Sequence, residues 1–155
     1  MKKIVFALTV CMCSVIAVKA QKINTGSSYE TAVGVKVFDG GGISLKHFFK
    51  GNQAGEGILY FWDKGMKLTG LYELHGPLND VEGFKWYIGA GGHFGFFNDA
   101  YGGGAFVGVD GVLGLDYKIK GAPLNLSIDW NPNVDLGRYN GFNAGSGGLG
   151  IRYTF

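Results

Sequence analysis

A chain of 155 residues, with 14 Lys and Arg against 12 Asp and Glu and a formal net charge of +2, suits a single domain. Its 29 glycines oppose helix, while 46% hydrophobic and 15% aromatic residues exclude a chain kept unfolded by its own polarity. No cluster of Lys or Arg offers a footprint for nucleic acid, and the two cysteines, Cys11 and Cys13, sit too close to the start to staple a fold.

In chain order, the first feature is a leader. Lys2 and Lys3 precede an apolar run from Ile4 to Val18, and Val18-Lys19-Ala20 places small or modest residues where a signal peptidase needs them. Residues 1–20 therefore read as a secretory signal peptide cut before Gln21. A membrane anchor is the weaker reading, because about 15 apolar residues fall short of the roughly 20 that span hydrocarbon. Leu8-Thr9-Val10-Cys11 has the outline of a lipid-modified cysteine, but Val10 stands where Gly, Ala or Ser is expected. Cleavage would remove both cysteines together with Lys2, Lys3 and Lys19, leaving 11 basic against 12 acidic residues in a domain over 21–155. The excess of basic charge thus belongs to the leader.

Beyond the leader the dominant pattern has period two, the signature of strands with one apolar face. Val33, Val35 and Val37 alternate with Gly34 and Lys36. Val107, Val109, Leu113, Leu115 and Tyr117 alternate with Gly108, Asp110, Gly114 and Asp116. Leu124, Leu126, Ile128 and Trp130 alternate with Asn125, Ser127, Asp129 and Asn131, and Leu149, Ile151, Tyr153 and Phe155 with Gly148, Gly150, Arg152 and Thr154. Strands are predicted near 31–38, 42–49, 56–62, 66–76, 84–96, 105–118, 123–131 and 147–155. The turns between them are rich in Gly, Asp and Asn: 39–41, 51–55, 63–65, 76–83, 98–104, 120–122 and 131–146. The second and third strands alternate least cleanly, at Phe48-Phe49 and Leu59-Tyr60-Phe61-Trp62.

A soluble β-sandwich would alternate too. Three features favour a membrane barrel instead. The polar face is rich in glycine as well as charge, which suits a crowded lumen. Aromatics collect at strand ends, with Trp86, Tyr117, Tyr153 and Phe155 at one rim and Trp62, Phe96 and Trp130 at the other, as the interfacial girdles of outer-membrane barrels do. The chain also ends on Phe155, with Leu149, Ile151 and Tyr153 on the same face.

That ending, GLGIRYTF, resembles the terminal-strand signal that outer-membrane proteins present to the barrel-assembly machinery. The chain is similar to the small eight-stranded outer-membrane barrels of the OmpX and OmpA type. It resembles more closely a Bacteroidota family of such barrels, through GISLKHFF, KLTGLYELHGP, KWYIGAGGHFGF, GVDGVLGLDYK, LSIDWNP and LGIRYTF, phrases spread over nearly all of 21–155. The resemblance implies an all-β fold, a closed eight-stranded antiparallel up-and-down transmembrane β-barrel in the cell outer membrane of a Gram-negative bacterium. It implies as partners outer-membrane lipids and lipopolysaccharide, with the barrel-assembly machinery and periplasmic chaperones during biogenesis, and a monomeric barrel without cofactor. It implies no reaction.

The predicted inner face receives Lys36, Lys46, Lys67 and Arg152, the carboxylates Glu73, Asp110, Asp116 and Asp129, and His93. An eight-stranded barrel is just wide enough for side chains to fill, and charges confined there must be paired, so the set reads as a structural ion network. His47, His75 and His93 are spaced unlike any ligand motif, and Asp63 and Asp99 lack the neighbours of a calcium loop. The run GGGAFVGVDG lacks the Lys-Ser or Lys-Thr of a phosphate loop. Lipid A deacylases of barrel fold carry His-x-Ser and the palmitoyltransferases an amphipathic helix. Neither occurs here, so no catalytic, metal or cofactor residue is assigned. The expected role is structural or surface-interacting, through outward loops 39–41, 63–65, 97–104 and 132–146, where Asn131-Pro132-Asn133, Arg138-Tyr139-Asn140 and Phe142 are candidates for adhesion. The alternatives are a small channel or a carrier of hydrophobic ligands, and less favoured, an enzyme acting on lipid A.

Overall fold

The computed structural model describes residues 29–37, 40–78, 81–136 and 140–155. The expected signal peptide, its cleavage site and the pair Arg138-Tyr139 lie outside these. Ten strands form a single antiparallel sheet: β1 (Thr31–Val37), β2 (Gly41–Lys50), β3 (Gln53–Trp62), β4 (Gly65–Pro77), β5 (Phe84–Phe97), β6 (Gly104–Lys118), β7 (Leu124–Trp130), β8 (Asn133–Leu136), β9 (Gly141–Asn143) and β10 (Gly147–Thr154). Each strand from β1 to β7 pairs with its sequence neighbour, and β10 pairs with both β7 and β1. The ring thereby closes on itself as an eight-stranded barrel.

The two additional strands extend the ring at one end. Trp130 faces Leu113 and Asn133 faces Asp110, so the register runs unbroken from β7 into β8. The interruption is Pro132, which has no N–H to give to the ladder. The amide of Gly111 donates to the Pro132 carbonyl at 2.8 Å, and the side-chain amide of Asn131 donates to the Gly111 carbonyl at 3.4 Å, in place of the missing proline bond. On the other limb Asn143 faces Asn133 while Gly147 faces Trp130, one residue more than the register needs, which makes a bulge of Ala144 to Ser146. The segment 131–146, expected as a loop, is therefore largely a raised hairpin. The third strand also begins at Gln53 rather than 56, so the turn expected over 51–55 shrinks to two residues.

Polarity is inverted relative to a water-soluble barrel. Val35, Leu68 and Ile128 are 54%, 56% and 55% exposed on the outer face, whereas Lys36, Glu73 and Arg152 are 0% exposed inside. Period two fixes this, since a closed sheet sends alternate side chains to the lumen and to the surroundings. Ile43, Leu45, Leu74, Ile88, Leu113, Leu126, Leu149 and Ile151 continue the outer apolar band. Around the end that carries the termini it is edged by Trp86, Tyr153, Phe155 and the Phe84–Tyr117 stack, and around the other by Phe61, Phe96 and Trp130.

Candidate functional site in the barrel interior

Three layers of side chains follow one another along the axis. At the end holding the termini, Tyr29 enters the lumen ahead of β1. Its ring meets Phe48 edge-on at 5.2 Å, Phe48 meets the ring of His75 at 4.8 Å, and the Tyr29 hydroxyl donates to Asp116 at 3.1 Å. Ala32 and Ala54 complete this buried cluster, their small side chains leaving room for the rings.

The middle layer is an ion network on β1, β2, β3, β4, β6, β7 and β10. Glu56 of β3 is its hub: it pairs with Lys36 at 3.6 Å and Lys46 at 3.3 Å, binds the Arg152 guanidinium, and accepts from Ser44 at 2.6 Å. Lys36 reaches Asp129 at 2.8 Å, and Lys46 reaches Glu73 at 2.8 Å and Asp116 at 3.8 Å. Arg152 spends its other N–H groups on Ser44 at 2.7 Å, Ser127 at 2.8 Å and Asn125 at 3.3 Å. The Tyr87 hydroxyl donates to Asp129 at 2.6 Å, and the Lys46 ammonium lies 4.1 Å from the centre of the Tyr87 ring. Charges removed from water need this density of partners to be tolerated. Inner-face glycines make the room: a Cβ on Gly150 would stand 2.4 Å from Ser127 Oγ, and one on Gly148 would stand 2.7 Å from Lys36 Cε.

The third layer is a cavity of about 260 Å³ at the opposite mouth. Ile58 and Thr69 lie at its depth, and Trp62, Phe97 and Phe106 form an aromatic corner, with ring centres 4.7 to 6.3 Å apart. The hairpin adds Asn133, Asp135 and Asn143 to the lining. Below the hairpin, His93 is held between two carboxylates, Nδ1 to Asp110 and Nε2 to Asp135, both at 2.8 Å. Such a ring can donate to both carboxylates at once only as an imidazolium. The contact ties β8 to β5 and β6. Its two carboxylates lie on opposite sides of the ring and share no point for a cation; among the described residues no group of three or more His, Cys, Asp or Glu could hold a metal.

All nine residues expected in the lumen are placed on the inner face, but eight of them fall into two groups rather than one and Lys67 stands apart. Lys36, Lys46, Glu73, Asp116, Asp129 and Arg152 belong to the central network, whereas His93 and Asp110 form the clamp at the mouth. Lys67 lines the cavity, with its ammonium 5.8 Å from the Tyr60 ring centre and no carboxylate within ion-pair distance among the described residues. The pairing expected between Asp110 and nearby lysine or arginine is replaced by His93. Of the expected girdle, Trp86, Phe96, Trp130, Tyr153 and Phe155 are exposed on the outer face and Tyr117 lies there half-buried under Phe84. Trp62 is a correction. It shares the parity of Glu56, Ile58 and Tyr60 and faces inward against Phe97 and Phe106. The terminal residues Leu149, Ile151, Tyr153 and Phe155 share one outer face of β10.

Glu56, Tyr87 and Tyr29 were missed by sequence reasoning. The signal for Glu56 is that it carries the one charge in β3, flanked at two-residue spacing by Ala54 and Ile58. His75 lies in the lumen, where its Nε2 meets Glu73 at 3.0 Å. His47 is on the outer face near the termini, bonded through Nδ1 to the Thr31 hydroxyl at 2.8 Å. No protein-family model, curated protein or solved structure matches this chain.

Proposed function

We propose that this protein is an outer-membrane β-barrel with a side-chain-filled lumen, delivered by the leader at residues 1–20, whose role is structural or surface-interacting through the loops and hairpin at the mouth opposite the termini. The observation that carries the reading is the inverted polarity. A ring of exposed Val, Leu and Ile edged by aromatics at both ends, around an interior of Lys, Arg, Glu and Asp, would be insoluble in water and is satisfied in a bilayer. A closed ring also leaves no backbone N–H or C=O unpaired in hydrocarbon. The strands β4, β5 and β6, with 13, 14 and 15 residues, exceed the 9 to 11 that cross a bilayer at a tilt of about 45°.

Expressed in a Gram-negative host, the protein is expected to fractionate with outer membranes and to migrate differently on gels before and after boiling. Recovery from the soluble periplasmic fraction removes the membrane assignment. A second measurement separates this reading from the channel. The Tyr29–Phe48 plug and the network around Glu56 leave side chains where an open pore would need water, so planar bilayers containing the refolded protein should show no resolvable unitary current. Steady, ion-selective steps would favour the channel.

A further inference from the structure

The mouth cavity has features that neither the membrane assignment nor the structural network uses. Trp62, Phe97 and Phe106 line it with aromatic rings, and the hairpin contributes the amides of Asn133 and Asn143 and the Asp135 carboxylate, with Asp110 also in the lining. Thr69, 3% exposed at the depth of the cavity, has a hydroxyl with no hydrogen-bond partner among the described residues, and the Asn131 Oδ1 beside the hairpin also lacks one. A buried polar atom without a partner carries a desolvation cost that a ligand able to bond it removes. Lys67 adds a cation whose ammonium lies over the Tyr60 ring, 5.8 Å from its centre, with no ion-pair partner among the described residues.

These features select a ligand that is apolar on its faces, rich in hydroxyls around its edge, and anionic at one end. A pyranose ring has that form: its C–H faces stack on aromatic side chains, and its hydroxyls both donate to Asn131 Oδ1 and Asp135 and accept from Thr69. The Lys67 ammonium then meets an acidic substituent. A cavity of about 260 Å³ takes one such ring and not an extended chain. From this juxtaposition of Trp62, Lys67, Thr69 and the β8–β9 hairpin, we infer that the outward mouth of the barrel is a binding site for a single acidic sugar, such as a uronic acid or the terminal acidic residue of a glycan. The inference rests on the reading of this mouth as the outward one.

Binding is measured on the purified full barrel refolded in detergent, so that its failure leaves the fractionation result, which tests location, untouched. The probes are D-glucuronate and D-glucose, followed by tryptophan fluorescence and isothermal titration. Trp86 and Trp130 face the detergent, which leaves Trp62 to report the cavity. One glucuronate should bind per barrel, at least tenfold more tightly than glucose. Lys67→Met should abolish that preference, Lys67→Arg should keep it, Thr69→Val should weaken both sugars, and Trp62→Phe should remove the optical signal without removing the heat. Each variant is first shown to keep the gel shift of the folded barrel. Absence of saturable binding, equal affinity for the two sugars, or a preference that survives Lys67→Met overturns the assignment.

Discussion

Replacing Glu56 with alanine is expected to destabilise the refolded barrel by about 3–5 kcal/mol, the usual cost of removing one partner from a buried ion pair. Its carboxylate meets Lys36, Lys46 and Arg152 together, all three 0% exposed, and the truncation leaves them around a void with Asp129, Glu73 and Asp116 as the remaining counter-charges. Glu56→Gln keeps the shape and loses the charge, and should fall between wild type and alanine. Asp110→Ala should cost less, because its partner His93 retains Asp135 near the partly open mouth. Lys67→Met, which breaks no ion pair, should change stability by under about 1 kcal/mol. Urea titration in detergent, read by tryptophan fluorescence, ranks the four. A Glu56→Ala midpoint equal to that of Lys67→Met would show that the buried network contributes nothing specific to the fold.

Deleting Tyr153 to Phe155 should reduce folded protein in the membrane to background. The backbone of Phe155 bonds Thr31 and Glu30, and Tyr153 is the pairing partner of both Val33 and Leu124, so the deletion opens the seam on two sides at once. It also removes the aromatic end of the segment that resembles the assembly signal. Refolding into detergent in vitro distinguishes the two effects: loss in both settings places the defect in ring closure, whereas loss only in cells places it in recognition. Normal membrane levels of the truncated chain would remove both roles from these residues.

Strands were legible where one face is uniformly apolar and the other small or polar, as in β1, β7 and β10. β3 was legible only in part, since its inner face carries Ile58, Tyr60 and Trp62 where the lumen is lined by rings, while Leu59 and Phe61 face outward. With large apolar residues on both sides the period disappears. Glu56 and Trp62 were lost with it, one omitted and the other assigned to the wrong face. The β8–β9 hairpin was hidden for a different reason. Pro132, Asn133, Gly141 and Asn143 are turn formers by local preference, and only the length of β6, which continues past Trp130's partner Leu113 to Val107, gives them a ladder to join. The cavity followed from that hairpin and so could not be anticipated. The side-chain bond from Asn131 that stands in for the proline amide is a tertiary fact with no local signature.

The seam itself has a consequence in time. Ala32 pairs with Thr154, so the closing contacts join residues nearly the full described chain apart, and none can form until the last residues have been made. Contacts of such sequence separation are slow, because the entropy of bringing distant segments together is lost before any of their bonds is gained. For that interval the sheet is an open ribbon with two bare edges, the state in which strands pair with the wrong neighbours. Yield is then a race between closure and misassociation, governed by how long the ribbon waits and not by how strong the finished ring is.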